Sequence, residues 1–203
     1  MKNLTKYLLL LSILSLFGYS VSAQNQGTKI TKTTSKIGTP EYLLVKRGFK
    51  IFKLGTPIEQ YKKYVVLGYY NLESGVKMYK ILTGMNPQFA SIGDSIEIND
   101  VVLEVYDGLI SAISVFVEPK YKDALLRSLQ AAYGPGNKPN KYIEKYRWHA
   151  SNKKNNIYLT YTDSYERGGA LNGNAWAMFY DSNLAAKQEQ DEKNQAKQTV
   201  KDL

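Results

Sequence analysis

The sequence contains no cysteine and a single histidine, His149, among its 203 residues. Without cysteine the chain can form neither a disulfide framework, nor a thiolate metal site, nor a thiol nucleophile. One histidine cannot supply a zinc site built from several imidazoles, and no G-x-S-x-G elbow accompanies it to suggest a serine hydrolase. We therefore expect no metal and no cofactor, and a fold stabilised by its hydrophobic core alone.

Only one long hydrophobic run occurs in the sequence, and it lies at the N-terminal end. A pair of lysines precedes the leucine-rich stretch Tyr7–Phe17, and Val21-Ser22-Ala23 has the form of a signal-peptidase site. The uncharged part is shorter than the ~20 residues of a typical membrane-spanning helix, although a retained anchor is the alternative. We predict a secretory signal peptide over residues 1–23 and an exported bacterial protein, periplasmic or secreted, that begins at Gln24 and has no integral membrane segment.

Acidic residues are too few to balance the lysines and arginines. The formal net charge is +9, and removal of the predicted leader with its two lysines lowers it to +7. A basic excess is typical of proteins that bind nucleic acid, anionic polysaccharide or lipid headgroups, but it also serves solubility alone. For an exported protein we expect glycan or lipid surfaces rather than nucleic acid.

Prolines and glycines predict two helices in the folded part. Thr56-Pro57, with Glu59 three residues after Thr56, forms a capping box, and Gly68 is placed to end that helix. Pro119 begins a second helix, which Gly134-Pro135-Gly136 stops.

Short apolar or alternating segments between these helices predict strands, and Asp107-Gly108 predicts a tight hairpin. The predicted strands cover residues 48–54, 78–82, 96–98, 101–106, 109–117, 142–150, 156–163 and 175–181. Because local connections dominate this order, we predict an α+β fold: a twisted antiparallel sheet with two helices packed on one face. A flexible linker (24–40), a single domain (41–186) and a polar helical or frayed tail (187–203) complete the predicted organisation.

One family resemblance accompanies this order of elements. A helix that closes in Tyr133-Gly134-Pro135-Gly136, followed by a strand with Tyr146-Arg147-Trp148, resembles small exported bacterial modules with a β-lactamase-inhibitor-protein-like fold. The resemblance covers residues 48–181 and implies a binding or assembly role. It carries no site residues over, because those modules share no fixed site.

Two segments invite a catalytic interpretation. Four carboxylates cluster near the start of the meander: Asp94, Glu97, Asp100 and Glu104. Carboxylates suit glycoside hydrolysis or calcium binding, but solvated positions on turns and outward strand faces explain these four better. The glycine-rich segment 168–173 lacks the Lys-Ser/Thr of a phosphate loop and is better explained as a long hairpin loop.

The strongest functional signal is a predicted sheet face. Alternation places Lys145, Arg147 and His149 on the side opposite to Tyr146, Trp148 and Ala150, and the two following strands add further aromatic residues. If these strands are neighbours, one surface combines Lys145, Arg147, Tyr158, Trp176 and Tyr180. Arginine, tyrosine and tryptophan are enriched at interface hot spots and also suit anionic or sugar ligands. The alternative is that a third layer, such as the C-terminal helix, covers this face.

We therefore predict a non-enzymatic binding or assembly protein of the bacterial cell envelope. The expected partner is an envelope or extracellular protein, or an anionic glycan. A carboxylate-dependent hydrolase of an envelope or extracellular polymer, acting through residues 94–104, is the alternative from another class. The oligomeric state does not follow from the sequence.

Overall fold

The computed structural model describes residues 36–71, 74–163 and 174–201 of the chain. Its strands are β1 (Gly48–Phe49), β2 (Phe52–Lys53), β3 (Val65–Tyr70), β4 (Lys77–Ile81), β5 (Ser91–Ile92), β6 (Ile96–Glu97), β7 (Asp100–Tyr106), β8 (Leu109–Val117), β9 (Lys145–Ser151), β10 (Asn156–Thr162) and β11 (Ala175–Asp181). Its α-helices are α1 (Tyr42–Lys46), α2 (Lys122–Tyr133) and α3 (Ser182–Lys201). Short 3-10 helices cover Ile58–Tyr64, Thr83–Met85, Pro87–Phe89 and Pro119–Tyr121.

Seven of these strands form one antiparallel sheet in the order β3-β4-β7-β8-β11-β10-β9. Two meanders meet at its centre, where β8 pairs with β11. Helix α2 makes the long connection between the meanders and buries Leu125, Leu129 and Tyr133 in the core. The predicted α+β class with an antiparallel sheet is thereby confirmed.

The hydrophobic core occupies one face of the sheet, called here the core face. Every second residue of the central strands is buried on this face, as expected from the period of two in a strand. Its most deeply buried members include Leu103, Ile113, Trp148 and Leu159, each at most 2% exposed. Helix α1, the β1–β2 hairpin and the 3-10 helix at residues 58–64 add Leu43, Phe52, Leu54, Ile58 and Tyr61 to the same core. The opposite face of the sheet is called here the outer face.

The predicted helix from Thr56 to Gly68 is wrong in type and length. The chain makes only the 3-10 helix Ile58–Tyr64, no side chain caps its first turn, and Val65–Tyr70 is strand β3. The sequence Val-Val-Leu-Gly-Tyr-Tyr explains the change, because β-branched and aromatic residues favour an extended chain. Gly68 therefore lies within a strand, where the register of β3 against β4 shifts.

The predicted strand 48–54 is a two-stranded hairpin, β1–β2, with Lys50 and Ile51 in its turn. Lys50 has φ +52°, a conformation for which glycine is the usual residue. The sequence did not indicate this hairpin turn, because neither turn residue is Gly, Asn or Asp.

Three further boundaries differ from the prediction. Residues 96–97 pair with β5 outside the main sheet, because Ile98 donates its N–H to the carbonyl of Ala90 (2.8 Å) and the chain turns there. Strand β9 begins at Lys145 rather than at Tyr142, since Asn140 accepts a side-chain bond from the Tyr142 N–H (2.9 Å) in a turn. Helix α3 begins at Ser182, five residues before the predicted start of the tail.

Candidate functional site

The outer face of the sheet brings together side chains from β9, β10, β11 and β8. Directly opposed residues on neighbouring strands form rows that run across the sheet. The first row is Lys145, Thr162, Trp176 and Phe116; the second is Arg147, Thr160, Met178 and Ser114; the third is His149, Tyr158, Tyr180 and Ala112. Lys145, Arg147, Tyr158, Trp176 and Tyr180 therefore lie on one face, which we call the aromatic-basic face.

Aromatic rings stack within the third row. The ring of Tyr158 lies 4.3 Å from that of His149 and 5.2 Å from that of Tyr180 between centroids, with interplanar angles of 20° and 9°. His149 is fixed further by a 2.7 Å hydrogen bond between its Nε2 and Oδ1 of Asn156. Both faces of the Tyr158 ring are thus covered, and what remains for a partner is its edge and its hydroxyl group.

The first row carries a second stack. The rings of Trp176 and Phe116 lie 6.0 Å apart at 11°. Both are half-buried, as are Tyr158 and Tyr180, so the aromatic side chains keep contact with solvent at their outer edges. Stacked pairs of this kind add roughly 0.5–1.5 kcal/mol beyond the burial of their area, which holds the rings in place before any partner binds.

Arg147 stands at the centre of the β9 edge of this face. Its side chain is exposed, and no carboxylate in the described part of the chain lies within ion-pair distance of it. Its field reaches Tyr180: burial raises the pKa of the Tyr180 hydroxyl, the positive charge of Arg147 opposes that rise, and Tyr158 adds to it. A cation without a carboxylate partner beside half-buried rings is an arrangement common at protein interfaces.

The alternating residues of the same strands anchor the aromatic-basic face from below. Trp148 lies beneath it on the core face, and its Nε1 donates to the carbonyl of Gly134 (2.8 Å). Gly136 packs so closely on this indole that a Cβ there would lie 2.7 Å from Cε2 of Trp148. The edge of β9 is also paired, since Asn137 and Arg147 exchange two backbone hydrogen bonds of 2.8 Å. Strand β9 is therefore held on both sides.

Side-chain bonds tie helix α3 to the end of β7, to the β7–β8 turn and, through Asn183 and the carbonyl of Lys154 (3.5 Å), to the β9–β10 turn. The hydroxyl of Tyr106 donates to Asp191 (2.5 Å), and Lys187 pairs with Asp107 (2.5 Å). The hydrogen bond to Asp191 is the largest of the effects that raise the pKa of Tyr106 to about 12.

Sequence reasoning left His149, Phe116 and Met178 out of the aromatic-basic site. For His149 the signal was present, because it alternates in phase with Lys145 and Arg147. The signal was present for Met178 as well, which alternates in phase with Trp176 and Tyr180. Phe116 was not assignable, since its place in the rows depends on the pairing of β8 with β11, two strands separated by α2 and two further strands. Thr160 and Thr162 also lie on the outer face, but both are buried between their larger neighbours.

The four carboxylates near the start of β7 do not converge. Asp94 is exposed in the β5–β6 turn, Glu97 lies 3.9 Å from Lys120, and Asp100 pairs with Lys80 at 2.6 Å. Glu104 shares a face with Asp100 but is four residues away, about 13 Å along a strand, beyond the carboxylate spacings of glycosidases. Burial raises the pKa of Glu104.

Within the described ranges, no cluster of three or more His, Asp or Glu side chains could hold a metal ion. None of the helices described is both long and apolar enough to cross a membrane. The glycine-rich segment 168–173 and the predicted leader and linker before residue 36 lie outside the described residues.

No family model, no curated protein and no solved structure matches the chain. The resemblance to β-lactamase-inhibitor-protein-like modules stays a prediction.

Proposed function

We propose that this chain is an exported, non-enzymatic binding or assembly protein of the bacterial cell envelope, and that its aromatic-basic face contacts another envelope or extracellular protein. The observation that carries the proposal is the set of stacked, half-exposed rings beside Arg147, whose charge has no carboxylate partner in the described chain. Export rests on the leader predicted for residues 1–23.

The ring geometry supports a protein partner over an anionic glycan. A sugar stacks on the open face of an aromatic ring, whereas both faces of Tyr158 and one face of Trp176 are covered by neighbours. Ring edges and tyrosine hydroxyls contact protein backbone and side chains readily, as tyrosine-rich interfaces do. Pre-stacked rings also lose little side-chain entropy on binding, which lowers the cost of association.

The glycan version of the proposal rests on Arg147, because guanidinium groups bind carboxylate and sulfate oxygens through two parallel hydrogen bonds. It predicts binding that weakens steeply with salt, since the attraction to a polyanion is mainly electrostatic. The protein version predicts binding that survives moderate salt and depends on Trp176.

The double variant Arg147→Ala/Trp176→Ala tests the face directly. We expect it to lose a partner that the parent protein recovers from the native envelope fraction, and to bind that purified partner at least roughly tenfold more weakly, as truncation of hot-spot residues does. Arg127→Ala/Tyr142→Ala is the matched control, because it removes an exposed arginine and an exposed aromatic ring outside this face.

Circular dichroism and the midpoint of thermal unfolding establish that both double variants remain folded. Equal recovery of the partner by parent, face variant and control variant would contradict the proposed face. Retention of the parent on an immobilised polyuronate, with elution at low salt and loss in Arg147→Ala alone, would instead support the glycan version.

A further inference from the structure

A second candidate site lies on the core face, away from the aromatic-basic residues. A cavity of about 310 Å³ opens between helix α2 and the β1–β2 hairpin. Its floor is formed by Val115 and Ala177, which are directly opposed on β8 and β11. Its walls are Phe49, Leu125, Leu129 and Phe179. This volume is at the lower end of the ~300–1,000 Å³ range of small-molecule sites.

The opening of this cavity is basic. Lys46 and Lys50, both exposed, line it together with the half-buried Ser128 of α2. Lys50 donates only to the backbone carbonyl of Gln88 (2.6 Å), and the ammonium group of Lys46 lies 5.4 Å from the ring centre of Tyr42. Neither lysine has a carboxylate within ion-pair distance among the described residues.

Two more cations lie close in sequence to Lys46 and Lys50 but do not line the cavity, and neither has a carboxylate within ion-pair distance among the described residues. Arg47 and Lys53 donate to the backbone carbonyls of Leu54 (2.7 Å) and Lys46 (2.6 Å). The pKa of Lys53 is lowered, first by burial and then by the charges of Lys46 and Arg47. Residues 46–53 thus concentrate positive charge that an anion would neutralise.

Two basic residues of the segment 46–53 have a costly backbone conformation. Arg47 and Lys50 have φ +49° and +52°, and the only other described non-glycine residue with positive φ is Asp107 in the β7–β8 turn. Glycine at position 50 would remove the strain, which is about 1–2 kcal/mol for an L-residue in this region. Arg47 is the left-handed C-cap residue of α1 and Lys50 lies in the β1–β2 turn, so the local fold accounts for both angles.

We infer that this cavity binds a small anionic amphiphile of the fatty-acid class, with a medium-length acyl chain between α2 and the sheet. The carboxylate head lies at the opening between Lys46 and Lys50. The apolar walls exclude a ligand that is polar throughout, and the cations select a negative head over an uncharged one. This site is independent of the aromatic-basic face, because Val115 and Ala177 belong to the opposite face of the sheet.

Calorimetric titration of the purified protein with decanoate, below the concentration at which it forms micelles, tests the inference. We expect saturable binding of one molecule, with decanol bound roughly two- to fivefold more weakly, the contribution of an exposed ion pair. Acetate, which has no tail, should show no saturation. Absence of saturable decanoate binding, or equal affinity for decanol, would overturn the inference, and tighter binding of decyl phosphate would overturn the carboxylate head.

Variants of the opening separate the head-group contacts from folding. Lys50→Gly removes the ammonium group and relieves the positive φ, so we expect weaker decanoate binding in a protein that is at least as stable as the parent. Lys46→Ala should weaken binding to a similar extent, whereas Lys63→Ala, which removes another exposed lysine above a tyrosine ring, should not. Equal affinities for all three variants would contradict the assigned head-group position.

A steric variant tests the cavity itself. Ser128→Phe places a ring across the opening, and we expect it to abolish decanoate binding. Ala131→Phe adds the same ring at an exposed position of α2 that does not line the cavity, and it should bind as the parent does. Binding that survives Ser128→Phe unchanged would place the ligand elsewhere. Shifts of the Ala177 methyl resonance on titration provide a second readout.

Discussion

Substitution of a single residue can lower the stability of this fold through distinct physical causes, and Gly136 is the clearest case. Its φ is +74° and an added Cβ would lie 2.7 Å from the Trp148 indole, so Gly136→Ala combines backbone strain with overpacking. We expect a loss of about 2–5 kcal/mol in the free energy of unfolding. Chemical denaturation followed by circular dichroism measures it.

Gly108→Ala is the matched control for this prediction. Gly108 has nearly the same φ, +75°, but nothing lies within 4 Å of its added Cβ. We expect only the backbone component there, about 1–2 kcal/mol. If the two variants lose equal stability, the added Cβ at position 136 does not clash with Trp148. The segment 134–136 is then not tightly packed on the indole.

Glu104 makes the stability of the fold depend on pH. Burial raises its pKa above the ordinary value of 4.5, so the folded state binds the proton more tightly than the unfolded state does. Below about pH 4.5 Glu104 does not lower the free energy of unfolding. That free energy falls as the pH rises through the folded-state pKa of Glu104. We expect Glu104→Gln to unfold at a higher temperature than the parent at pH 7.

The difference between Glu104→Gln and the parent should vanish below about pH 4.5, where the parent carboxyl is protonated in both states. Glu41→Gln, at an exposed carboxyl, should change the stability by less than about 0.5 kcal/mol at every pH. A Glu104→Gln protein that is less stable than the parent at pH 7 would show that the carboxylate has a stabilising partner.

At the scale of elements, helix α3 is attached by few contacts. Its side chains include no buried residue among those described, and it is tied to the β7–β8 turn by Tyr106–Asp191 and Lys187–Asp107. A hydrogen bond to a charged group contributes about 1.5–3 kcal/mol. Tyr106→Phe should therefore speed hydrogen exchange of the α3 amides roughly tenfold or more while β8 and β11 stay protected.

Two comparisons test this attachment of α3. Asp191→Asn should accelerate exchange in the same amides, because it weakens the same bond. Lys193→Ala removes only the exposed i,i+4 pair with Glu189, which is worth about 0.3–0.5 kcal/mol, so its effect should be much smaller. Unchanged exchange in Tyr106→Phe would mean that other contacts hold the helix.

Elements differed in how far the sequence could predict them. Strands β8 and β11 match their predicted bounds, because a sustained apolar run between turn residues leaves little choice. The prediction for residues 58–70 was wrong, since Ile58, Tyr61 and Val65 satisfy a helical period and also face the core from a 3-10 helix and a strand. The local pattern was the same in both arrangements, and only tertiary packing distinguished them.

The two candidate sites also differ in how far the sequence could predict them. Alternation assigned each of the five aromatic-basic residues to a side of its own strand, and the assumption that β9, β10 and β11 are neighbours then placed them on one face. The cavity was not predictable, since it depends on the meeting of α2 with the β1–β2 hairpin, two segments about 75 residues apart. The basic residues at 46–53 were visible as a charge cluster, but their neighbour was not.

At the scale of the whole molecule, the two edges of the seven-stranded sheet differ. Strand β9 is covered by its backbone bridge to Asn137, whereas in the described chain no segment bonds to the outer edge of β3. Strand β3 is also apolar and exposed: Val66, Leu67 and Tyr69 are 44%, 55% and 57% accessible. An open apolar edge is a template for pairing with another chain.

We therefore expect β3 to nucleate aggregation of the folded protein during prolonged incubation at high concentration. Leu67→Lys should slow the growth of light scattering severalfold, because a charge on an edge strand opposes the addition of a further strand. Tyr142→Lys adds the same charge at an aromatic residue that is 84% exposed but belongs to no strand, and it should aggregate as the parent does. Equal protection by both substitutions would mean that added charge alone, rather than the edge of β3, controls association.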